Sequence, residues 1–500
     1  MQLKKLLSSV NVKRVEGDLE REVTGLAYDS RRVSPGKVFV ACRGQNSDGH
    51  DYISEAIDRG AIAVVCERNG FVSHKATKII VDDCRESLAK LSAAFFEHPS
   101  RKLRVIGITG TNGKTTTTFI LKHLLEAHGI KTGLVSTVHY EVGGRVLPAS
   151  RTTPESLDLQ QLMAQMVRTG CEACVMEVSS HALMQNRVDC VEFDIGVFTN
   201  LTQDHLDYHR TMEDYFQAKK RFFDLLDSLP NRTRVVANGD DEYGRRVLDG
   251  SQSLAPVSFG TLGDTTLVAN QIELDREGMH FTVHAGETHL PVTSGLIGRH
   301  NVYNILAAMG VAEVMALPAE KTLEALAKTP PVPGRLESID MGQDFNVIVD
   351  YAHTADALEN VLTTLREITP GRILLTFGCG GNRDAGKRIK MGEVAANLAH
   401  YTVITSDNPR KEPPAAIAAQ VEAGYFSVRT NGSRAVLDRH AAINDVIRHA
   451  KPGDTVLIAG KGHETFQELH DSVIPFDDRR HAAEILQDLA GGGGRILRAA

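Results

Sequence analysis

The sequence predicts an α/β fold in which mainly parallel sheets are spread over three domains. Apolar runs of strand length alternate with helical patterns along almost the whole chain, and this alternation is typical of parallel sheets with crossover helices. Several of these runs are followed directly by glycine or polar residues, as at the ligand-binding edge of an open parallel sheet. The length of 500 residues adds an expectation of about three domains of roughly 150 residues each.

Composition and charge exclude several classes of protein. The formal net charge of -7 argues against a general nucleic-acid binder, because such proteins carry a basic surface for phosphates. No apolar run approaches the length of about eighteen residues that spans a membrane. The basic start of the chain lacks the sustained apolar segment of a signal peptide. We therefore expect no membrane span and a cytoplasmic location.

The cysteines predict neither a disulfide framework nor a zinc site. Seven are scattered along the chain, and only Cys171 and Cys174 have C-x-x-C spacing. A zinc site requires a second pair, and a thioredoxin-like motif lies at a helix start, whereas this pair leads into an apolar strand. We expect reduced, structural cysteines.

Two linker-like segments divide the chain. Residues 1–99 form a small unit in which the strand-like runs KVFVA, AIAVVCE and KIIVDD alternate with helical patterns. The central unit, residues 100–331, opens with the buried run VIGIT, a glycine-rich turn and a long helix. The proline-rich segment 327–337 contains the second boundary, and residues 332–500 form the C-terminal unit.

The C-terminal unit contains four strands that each end in polar or glycine residues, namely NVIVDYAHT, ILLTFGCGGNRD, YTVITSDNPR and TVLIAGKGHE. Ligands of open parallel sheets bind in the crevice beyond the carboxyl ends of the strands. Four such loops in one domain therefore predict a binding site.

The segment GITGTNGKTTTT, which includes Gly110 to Thr116, predicts a phosphate site. Backbone N–H groups of a glycine-rich turn at a helix N-terminus cradle phosphates, the side chain of Lys114 reaches the β and γ oxygens, and Thr115 offers a hydroxyl to Mg²⁺. The strict phosphate-loop pattern fails at one position, because Ile108 occupies the place of the first glycine. A glycine-rich turn that carries a lysine by chance is the alternative.

Polar residues also follow two later strands of the central unit. Glu177 ends the strand CVMEV, and the segment TNLTQDHLDYH offers Asp204, His205, Asp207 and His209. The pair Lys219 and Lys220 lies on a helical pattern, and spacing alone does not distinguish it from a solvated face.

Taken in order, these motifs resemble the Mur ligase family. The resemblance extends from YDSRRVSPGKVFVA to GKGHE and includes TGTNGKTTT, EVSSHAL, TNLTQDHLDYH, YFQAK, PGRLE, DYAHT and SDNPR. It implies a UDP-substrate domain, a central P-loop ATPase domain with a mainly parallel sheet, and a Rossmann-like C-terminal domain. It also implies Mg²⁺ and a reaction in which ATP phosphorylates the D-glutamyl carboxylate of UDP-N-acetylmuramoyl-dipeptide. An amino acid amine then attacks the acyl phosphate.

The resemblance assigns roles residue by residue. The ATP contacts it implies are Gly110, Thr111, Asn112, Gly113, Lys114, Thr115, Thr116, Asn301, Arg335 and Asp350. The implied metal ligands are Thr115, Glu177, His205 and Lys219, the last after carbamylation by CO₂. The implied contacts to the UDP-linked substrate are Ser30, Thr152, Thr153, Ser179, Gln185 and Arg187. The implied contacts to the incoming amino acid are Arg383, Asp407, Asn408, Arg410, Gly460 and Glu464.

The stretch SDNPR implies which amino acid is added. In this family it accompanies meso-diaminopimelate, whose far end carries a carboxylate that lysine lacks. The planar fork of Arg410 suits a carboxylate, and Pro409 restricts the loop before it. A structural arginine that caps the loop is the alternative.

Three other functions remain open on the sequence. They are a sister ligase that adds L-lysine or extends polyglutamate, a P-loop binding switch without synthetic chemistry, and a phosphotransferase. We expect a monomer.

Overall fold

The computed structural model describes residues 1–44, 47–68, 74–204, 206–229, 234–252, 255–275 and 277–493. His205, one of the expected metal ligands, lies outside them. The chain divides into two compact units. The first consists of Met1–Ala269, Val283–Leu290 and Tyr303–Ala325, and the second of Asn270–Thr282, Pro291–Val302 and the chain from Leu326 onward. The expected domain boundaries after residues 99 and 331 stay predictions.

The N-terminal sheet has the strand order β1-β5-β4-β3-β2 and is parallel except for β1. Its strands are β1 Val12–Glu16, β2 Gly25–Ala27, β3 Lys37–Val40, β4 Ala63–Cys66 and β5 Thr77–Val81. Its helices are α1 Leu3–Leu7, α2 Ile53–Asp58 and α3 Cys84–Phe95. Because apolar residues such as Val38, Val65 and Leu88 pack together, the three predicted strand runs form one buried layer.

The central sheet carries the phosphate loop. Its strands are β6 Arg104–Thr109, β7 Thr132–Val135, β8 His139–Val142, β9 Arg145–Pro148, β10 Ala173–Glu177, β11 Ile195–Phe198, β12 Arg234–Asn238, β13 Val257–Gly260, β14 Leu267–Leu274, β15 Met279–Ala285 and β16 Thr288–Ser294. The helices are α4 Lys114–Ala127, α5 Ser156–Arg168, α6 Ser180–Met184, α7 Leu206–His209, α8 Met212–Asp227, α9 Glu242–Gly250, α10 His300–Val314 and α11 Ala319–Ala327.

Strand β6 lies in the middle of this sheet, between β10 and β11, and all three strands are parallel. Glu177 on β10 lies opposite Ile108 on β6, and Phe198 on β11 lies opposite Thr109. The residues that follow these strands therefore meet at the edge where the phosphate loop begins.

The C-terminal sheet has the strand order β17-β18-β22-β19-β20-β21. Its strands are β17 Glu337–Ser338, β18 Asn346–Asp350, β19 Ile373–Phe377, β20 Tyr401–Ile404, β21 Ser433–Ala435 and β22 Thr455–Ala459, and β23 Phe466–Leu469 and β24 Ser472–Pro475 form a separate hairpin. The helices are α12 Ala355–Ile368, α13 Gly386–Leu398, α14 Pro414–Val428, α15 Arg439–Arg448 and α16 Asp478–Gly493.

The four strands predicted in this region are neighbours in the C-terminal sheet. They are β18, β22, β19 and β20, and they run parallel, so their polar loops share one edge. Together with the sheets of the first unit, this arrangement confirms the predicted α/β class. Among the helices of the described ranges, none is both long and apolar enough to cross a membrane.

Candidate functional site

The phosphate loop joins β6 to α4. Helix α4 begins at Lys114, and its N-cap residue is Gly113, which provides no side-chain cap for the N–H groups of the first turn. Gly113 has a φ of 84°, and a Cβ there would lie 2.3 Å from Oδ1 of Asn304. Both the left-handed backbone and the close approach therefore favour glycine. Uncapped N–H groups and the helix dipole make this turn suitable for an anion.

Residues that follow β11 hold the phosphate loop. The backbone N–H of Thr111 donates to the carbonyl of Asn200 at 2.9 Å, and the N–H of Asn112 donates to Oδ1 of Asn200 at 2.9 Å. The hydroxyl of Thr199 donates to the carbonyl of Asn112 at 2.6 Å. The loop is therefore ordered by partners about ninety positions later in the chain.

Two lysines converge on the same loop carbonyl. Nζ of Lys114 donates to the carbonyls of Gly110 and Thr111 at 2.9 and 2.8 Å, and Nζ of Lys219 donates to the carbonyl of Gly110 at 2.7 Å. Lys219, on α8, is only 1% exposed. Burial and the nearby Lys114 ammonium hold the pKa of Lys219 well below its usual range, although Asp204 acts in the opposite direction. Two lysine side chains therefore donate to the loop, and the lowered pKa of Lys219 favours its neutral amine.

Glu177 is a fully buried carboxylate with neutral donors. Its Oε1 accepts from the Thr115 hydroxyl at 2.9 Å and from the backbone N–H of Thr137 at 2.8 Å, and its Oε2 accepts from the Thr137 hydroxyl at 3.0 Å. Burying a carboxylate is unfavourable unless it is paired with a cation or binds a metal. Glu177 and Thr115 therefore fit a divalent cation, although no cluster of three His, Cys, Asp or Glu side chains suited to a metal is found among the described residues.

The residues expected to hold the UDP-linked substrate form a network beside Glu177. The Thr153 hydroxyl donates to the carbonyl of Glu177 at 2.8 Å and accepts from the N–H of Ser179 at 3.1 Å. Arg187 is buried and donates to the carbonyl of Thr153 at 2.9 Å and to Oε1 of Gln185 at 2.6 Å.

The other two residues expected at that substrate differ in position. Thr152 accepts a bond from the Thr137 hydroxyl at 3.1 Å, so it adjoins Glu177 through Thr137. Ser30 lies in the N-terminal sheet region, where its hydroxyl donates to Oε2 of Glu55 at 2.8 Å.

The edge of the C-terminal sheet brings Asp407, Asn408, Gly460 and Glu464 together. Nδ2 of Asn408 donates to Oε2 of Glu464 at 2.9 Å. A Cβ at Gly460, which has a φ of 110°, would lie 2.8 Å from Oδ2 of Asp407. Asp407 and Asn408 are both buried, so their polar groups are oriented within the protein.

Arg410 is anchored by the loops around it. Its Nη1 donates to the carbonyl of Gly381 at 2.9 Å, and its Nε lies 2.8 Å from Oε2 of Glu468. Its φ of 52° is left-handed, which is uncommon for a residue other than glycine. Arg383, from the neighbouring loop, is exposed.

Three residues of the second unit were expected to contact ATP, namely Asn301, Arg335 and Asp350. Both oxygens of Asp350 accept backbone bonds at 2.7 Å, from Leu336 and Ala352. Burial raises the pKa of Asp350, and the nearby Arg335 acts in the opposite direction. The Arg335 guanidinium lies 4.5 Å from the centre of the Tyr351 ring. Asn301 donates to the carbonyl of Ile297 at 2.8 Å.

Sequence reasoning missed the residues that support these groups. Thr137 holds Glu177, and Thr199 and Asn200 hold the phosphate loop. In the second unit, the buried Arg439 pairs with Asp478 and donates to the carbonyls of Ser406 and Ala459. These two residues directly precede Asp407 and Gly460. Thr199 and Asn200 directly follow strand β11, and their polar side chains at a strand end could have indicated a role at the site. No local sequence feature distinguishes Arg439.

Three family profiles match the chain in sequence. The profile described as Mur ligase family, catalytic domain matches residues 22–96, that of the Mur ligase middle domain matches residues 108–312, and that of the Mur ligase, glutamate ligase domain matches residues 334–462. They are consecutive and do not overlap.

Whole proteins match over the same length. The chain is 42% identical over 487 residues to UDP-N-acetylmuramoyl-L-alanyl-D-glutamate--2,6-diaminopimelate ligase of Syntrophomonas wolfei subsp. wolfei, with 97% of this chain and 99% of that protein covered. A solved structure of a ligase with the same name has a TM-score of 0.69 at 28% identity and covers 98% of this chain and 99% of its own. The MurF ligase of Thermotoga maritima in complex with ADP shares the fold, with a TM-score of 0.62 at 20% identity and coverage of 95% and 98%. The 42% identity to the Syntrophomonas wolfei ligase extends over nearly the full length of both chains, so the protein belongs to the Mur ligase family.

Proposed function

We propose that the protein is an ATP-dependent ligase that adds meso-diaminopimelate to UDP-N-acetylmuramoyl-L-alanyl-D-glutamate in peptidoglycan precursor synthesis. The observation that carries the proposal is that one chain contains both a phosphate loop with two lysines on its Gly110 carbonyl and a sheet edge where Asp407, Asn408 and Arg410 are fixed. The first suits phosphoryl transfer, and the second suits an amino acid with charged groups of both signs.

The reaction has two steps. The terminal phosphoryl group of ATP passes to the side-chain carboxylate of D-glutamate, which gives ADP and an acyl phosphate. The amine of diaminopimelate then attacks the acyl carbon, and the tetrahedral intermediate expels phosphate while the nitrogen loses a proton. Phosphorylation is needed because a carboxylate is a poor electrophile and its oxygen a poor leaving group.

The phosphate loop stabilises charge in the first step. The first-turn N–H groups of α4 would face the phosphates of bound ATP, and Lys114 would compensate the charge that develops on the transferred group. The ADP bound to the fold relative from Thermotoga maritima supports ATP as the phosphoryl donor. Asn301, Arg335 and Asp350 are the further ATP contacts that we propose.

We assign the Mg²⁺ contacts to Thr115 and Glu177, together with His205, which lies outside the described residues. Mg²⁺ bound there would offset the charge of the nucleotide phosphates. The burial of Glu177 among neutral donors supports this assignment. We further propose that Lys219 is the carbamylated position, which its burial against the carbonyl of Gly110 supports.

The two substrates use different residues. Thr152, Thr153, Ser179, Gln185 and Arg187, with Ser30, hold the UDP-linked dipeptide in this proposal, and the network between Thr153 and Arg187 supports it. Arg410 binds the far carboxylate of diaminopimelate, and Asp407 and Asn408 bind the amino group at that end. Arg383, Gly460 and Glu464 are the remaining contacts to the amino acid. We propose domains of residues 1–99, 100–331 and 332–500, a monomer, and a cytoplasmic location.

Phosphate release from ATP tests the function. The protein is assayed with UDP-N-acetylmuramoyl-L-alanyl-D-glutamate and either meso-diaminopimelate or L-lysine. We expect phosphate and amide product with diaminopimelate and little of either with lysine. Equal or faster release with lysine would favour the sister ligase. Formation of ADP without release of phosphate would favour a phosphotransferase, because its product keeps the phosphoryl group. Absence of release with both amino acids would overturn the ligase assignment.

A further inference from the structure

Lys461 is a buried cation at the centre of the C-terminal sheet edge. Its side chain is 0% exposed, and its Nζ donates to Oδ1 of Asn408 at 3.1 Å and to Oε2 of Glu464 at 2.9 Å. Oδ1 of Asp407 lies 4.0 Å away. Lys461 therefore contacts three of the residues that we assign to the incoming amino acid, although it has no assigned role itself.

The lysine changes the charge of this group of residues. Asp407 and Glu464 carry two negative charges. Asp407 is 7% exposed and Lys461 is 0% exposed, whereas the Glu464 side chain is 22% exposed. With the Lys461 ammonium the three side chains sum to one negative charge, and without it they would sum to two. Like charges close together in a buried site are strongly unfavourable. One remaining negative charge matches one ammonium group of a ligand.

The lysine also fixes the direction of the Asn408 amide. Oδ1 of Asn408 accepts from Lys461 and from the backbone N–H of Glu468 at 2.9 Å, so Nδ2 faces Glu464. Because Lys461 has only donors to offer, it excludes the reversed amide, in which Nδ2 would face the ammonium.

We infer that Lys461 is a specificity-determining positioning residue for the zwitterionic far end of the incoming amino acid. It reduces the negative charge at the edge, so that the site accepts an amino-acid head that brings a carboxylate as well as an ammonium. Arg410 then pairs with that carboxylate. This inference rests on the proposed function, since it takes the edge to be the site of diaminopimelate.

The test compares the kinetic constants of one variant with two amino acids, meso-diaminopimelate and L-lysine. Lys461→Met keeps most of the length of the side chain and removes its charge. We expect the KM for meso-diaminopimelate to rise about tenfold, while the KM values for ATP and the UDP-linked dipeptide change less than about threefold. The far end of L-lysine carries an ammonium and no carboxylate. The added negative charge should therefore weaken the binding of L-lysine less than that of diaminopimelate. The ratio of kcat/KM for diaminopimelate to that for lysine should therefore fall about tenfold.

A double variant restores the charge. In Lys461→Met/Glu464→Gln only Asp407 remains charged, so the sum returns to one negative charge. We expect part of the lost selectivity to return, and a double-mutant cycle measures the coupling. If Lys461→Met alone does not fold, the double variant is compared with Glu464→Gln, whose three side chains sum to zero.

Arg372→Met is the matched control. Arg372 pairs with Asp454 at 2.6 Å at the opposite end of the same sheet, since both residues precede their strands β19 and β22. Its loss should leave all KM values unchanged. An equal loss of activity with both amino acids in Lys461→Met, or no loss with either, would overturn the inference while the wild-type protein stays selective. A wild-type protein without diaminopimelate-dependent phosphate release would instead overturn the proposed function.

Discussion

The phosphate loop and the C-terminal sheet edge are both proposed sites for charged ligands, but they are built in different ways. The phosphate loop consists of consecutive residues at the start of α4, and we expect their backbone groups to do most of the binding. The sheet edge combines side chains from loops after β19, β20 and β22, and these side chains orient one another. A side-chain substitution should therefore remove a single interaction at the phosphate loop and disturb several at the sheet edge.

Lys114 is the exception at the phosphate loop, because its side chain carries charge that the backbone cannot replace. We expect Lys114→Met to lower kcat about 10³- to 10⁴-fold through lost stabilisation of the transferred phosphoryl group. Phosphate release with saturating substrates measures the effect. Lys122→Met, on the same helix, should keep full activity, since Lys122 pairs with Glu126 and Glu141. A comparable loss in both variants would contradict a specific role of Lys114.

The buried pair of Arg439 and Asp478 tests whether the sheet edge depends on distant side chains. Both side chains are 0% exposed, and Nη2 of Arg439 lies 2.6 Å from Oδ2 of Asp478. Asp478→Asn leaves a buried guanidinium uncompensated, so we expect a loss of about 3 kcal/mol in the free energy of unfolding. The urea midpoint measures this loss. Because Arg439 donates to the carbonyls of Ser406 and Ala459, the KM for diaminopimelate should rise in protein that remains folded.

Glu484→Gln is the matched control for that variant. Glu484 pairs with Arg480 on the same helix, but both are exposed, and exposed pairs contribute little to stability. We expect an unchanged urea midpoint. A midpoint for Asp478→Asn equal to that of the control would mean that the buried pair does not stabilise the folded protein. An unchanged KM for diaminopimelate would mean that the pair does not support the edge.

Arg410 sharpens the comparison, because we propose that it selects the amino acid rather than supports the loop. Arg410→Asn removes the guanidinium, and asparagine tolerates the left-handed backbone at this position. We expect kcat/KM for meso-diaminopimelate to fall about 10²-fold, or about 2.7 kcal/mol, and the value for L-lysine to change little. The neighbouring exposed Lys411→Asn serves as the control. Equal losses with both amino acids would favour a structural arginine that caps the loop.

The sequence predicted the arrangement of the phosphate loop, whose residues are consecutive, better than that of the C-terminal sheet edge, whose residues come from several loops. The turn, the lysine and the helix start from Gly110 to Thr115 follow from local chemistry, and the structure has them in that order. The strand ends of the C-terminal unit were also recognisable, because each apolar run stops at polar or glycine residues. Their order in the sheet was not, because β22 lies between β18 and β19 although it comes last of the four strands.

Supporting residues were the least predictable part. Lys461 follows a glycine in a recognised motif, yet its burial depends on the loops of Asp407 and Asn408 packing around it. Arg439 begins a helix, where an exposed arginine is the usual expectation, and its pairing with Asp478 requires the folded sheet. Partners distant in sequence leave no local pattern, so their contribution appears only in the structure.

Asn200 is the corresponding support of the phosphate loop, and its effect should be the smallest. Its amide accepts from the N–H of Asn112 at 2.9 Å and donates to the carbonyl of Asn112 at 3.2 Å. Asn200→Ala leaves the backbone bond from Thr111 to residue 200 in place. We expect the KM for ATP to rise about tenfold, or about 1.4 kcal/mol, with little change in kcat.

Asn200→Asp distinguishes the two bonds of that amide, because it keeps the acceptor for the Asn112 N–H and loses the donor to the carbonyl. It also adds a negative charge near the phosphates, so its KM for ATP should rise more than that of Asn200→Ala if the anion lies at this turn. A smaller rise in Asn200→Asp than in Asn200→Ala would mean that the hydrogen bond matters more than the charge. It would also mean that the bound phosphates lie farther from Asn200 than the loop geometry implies.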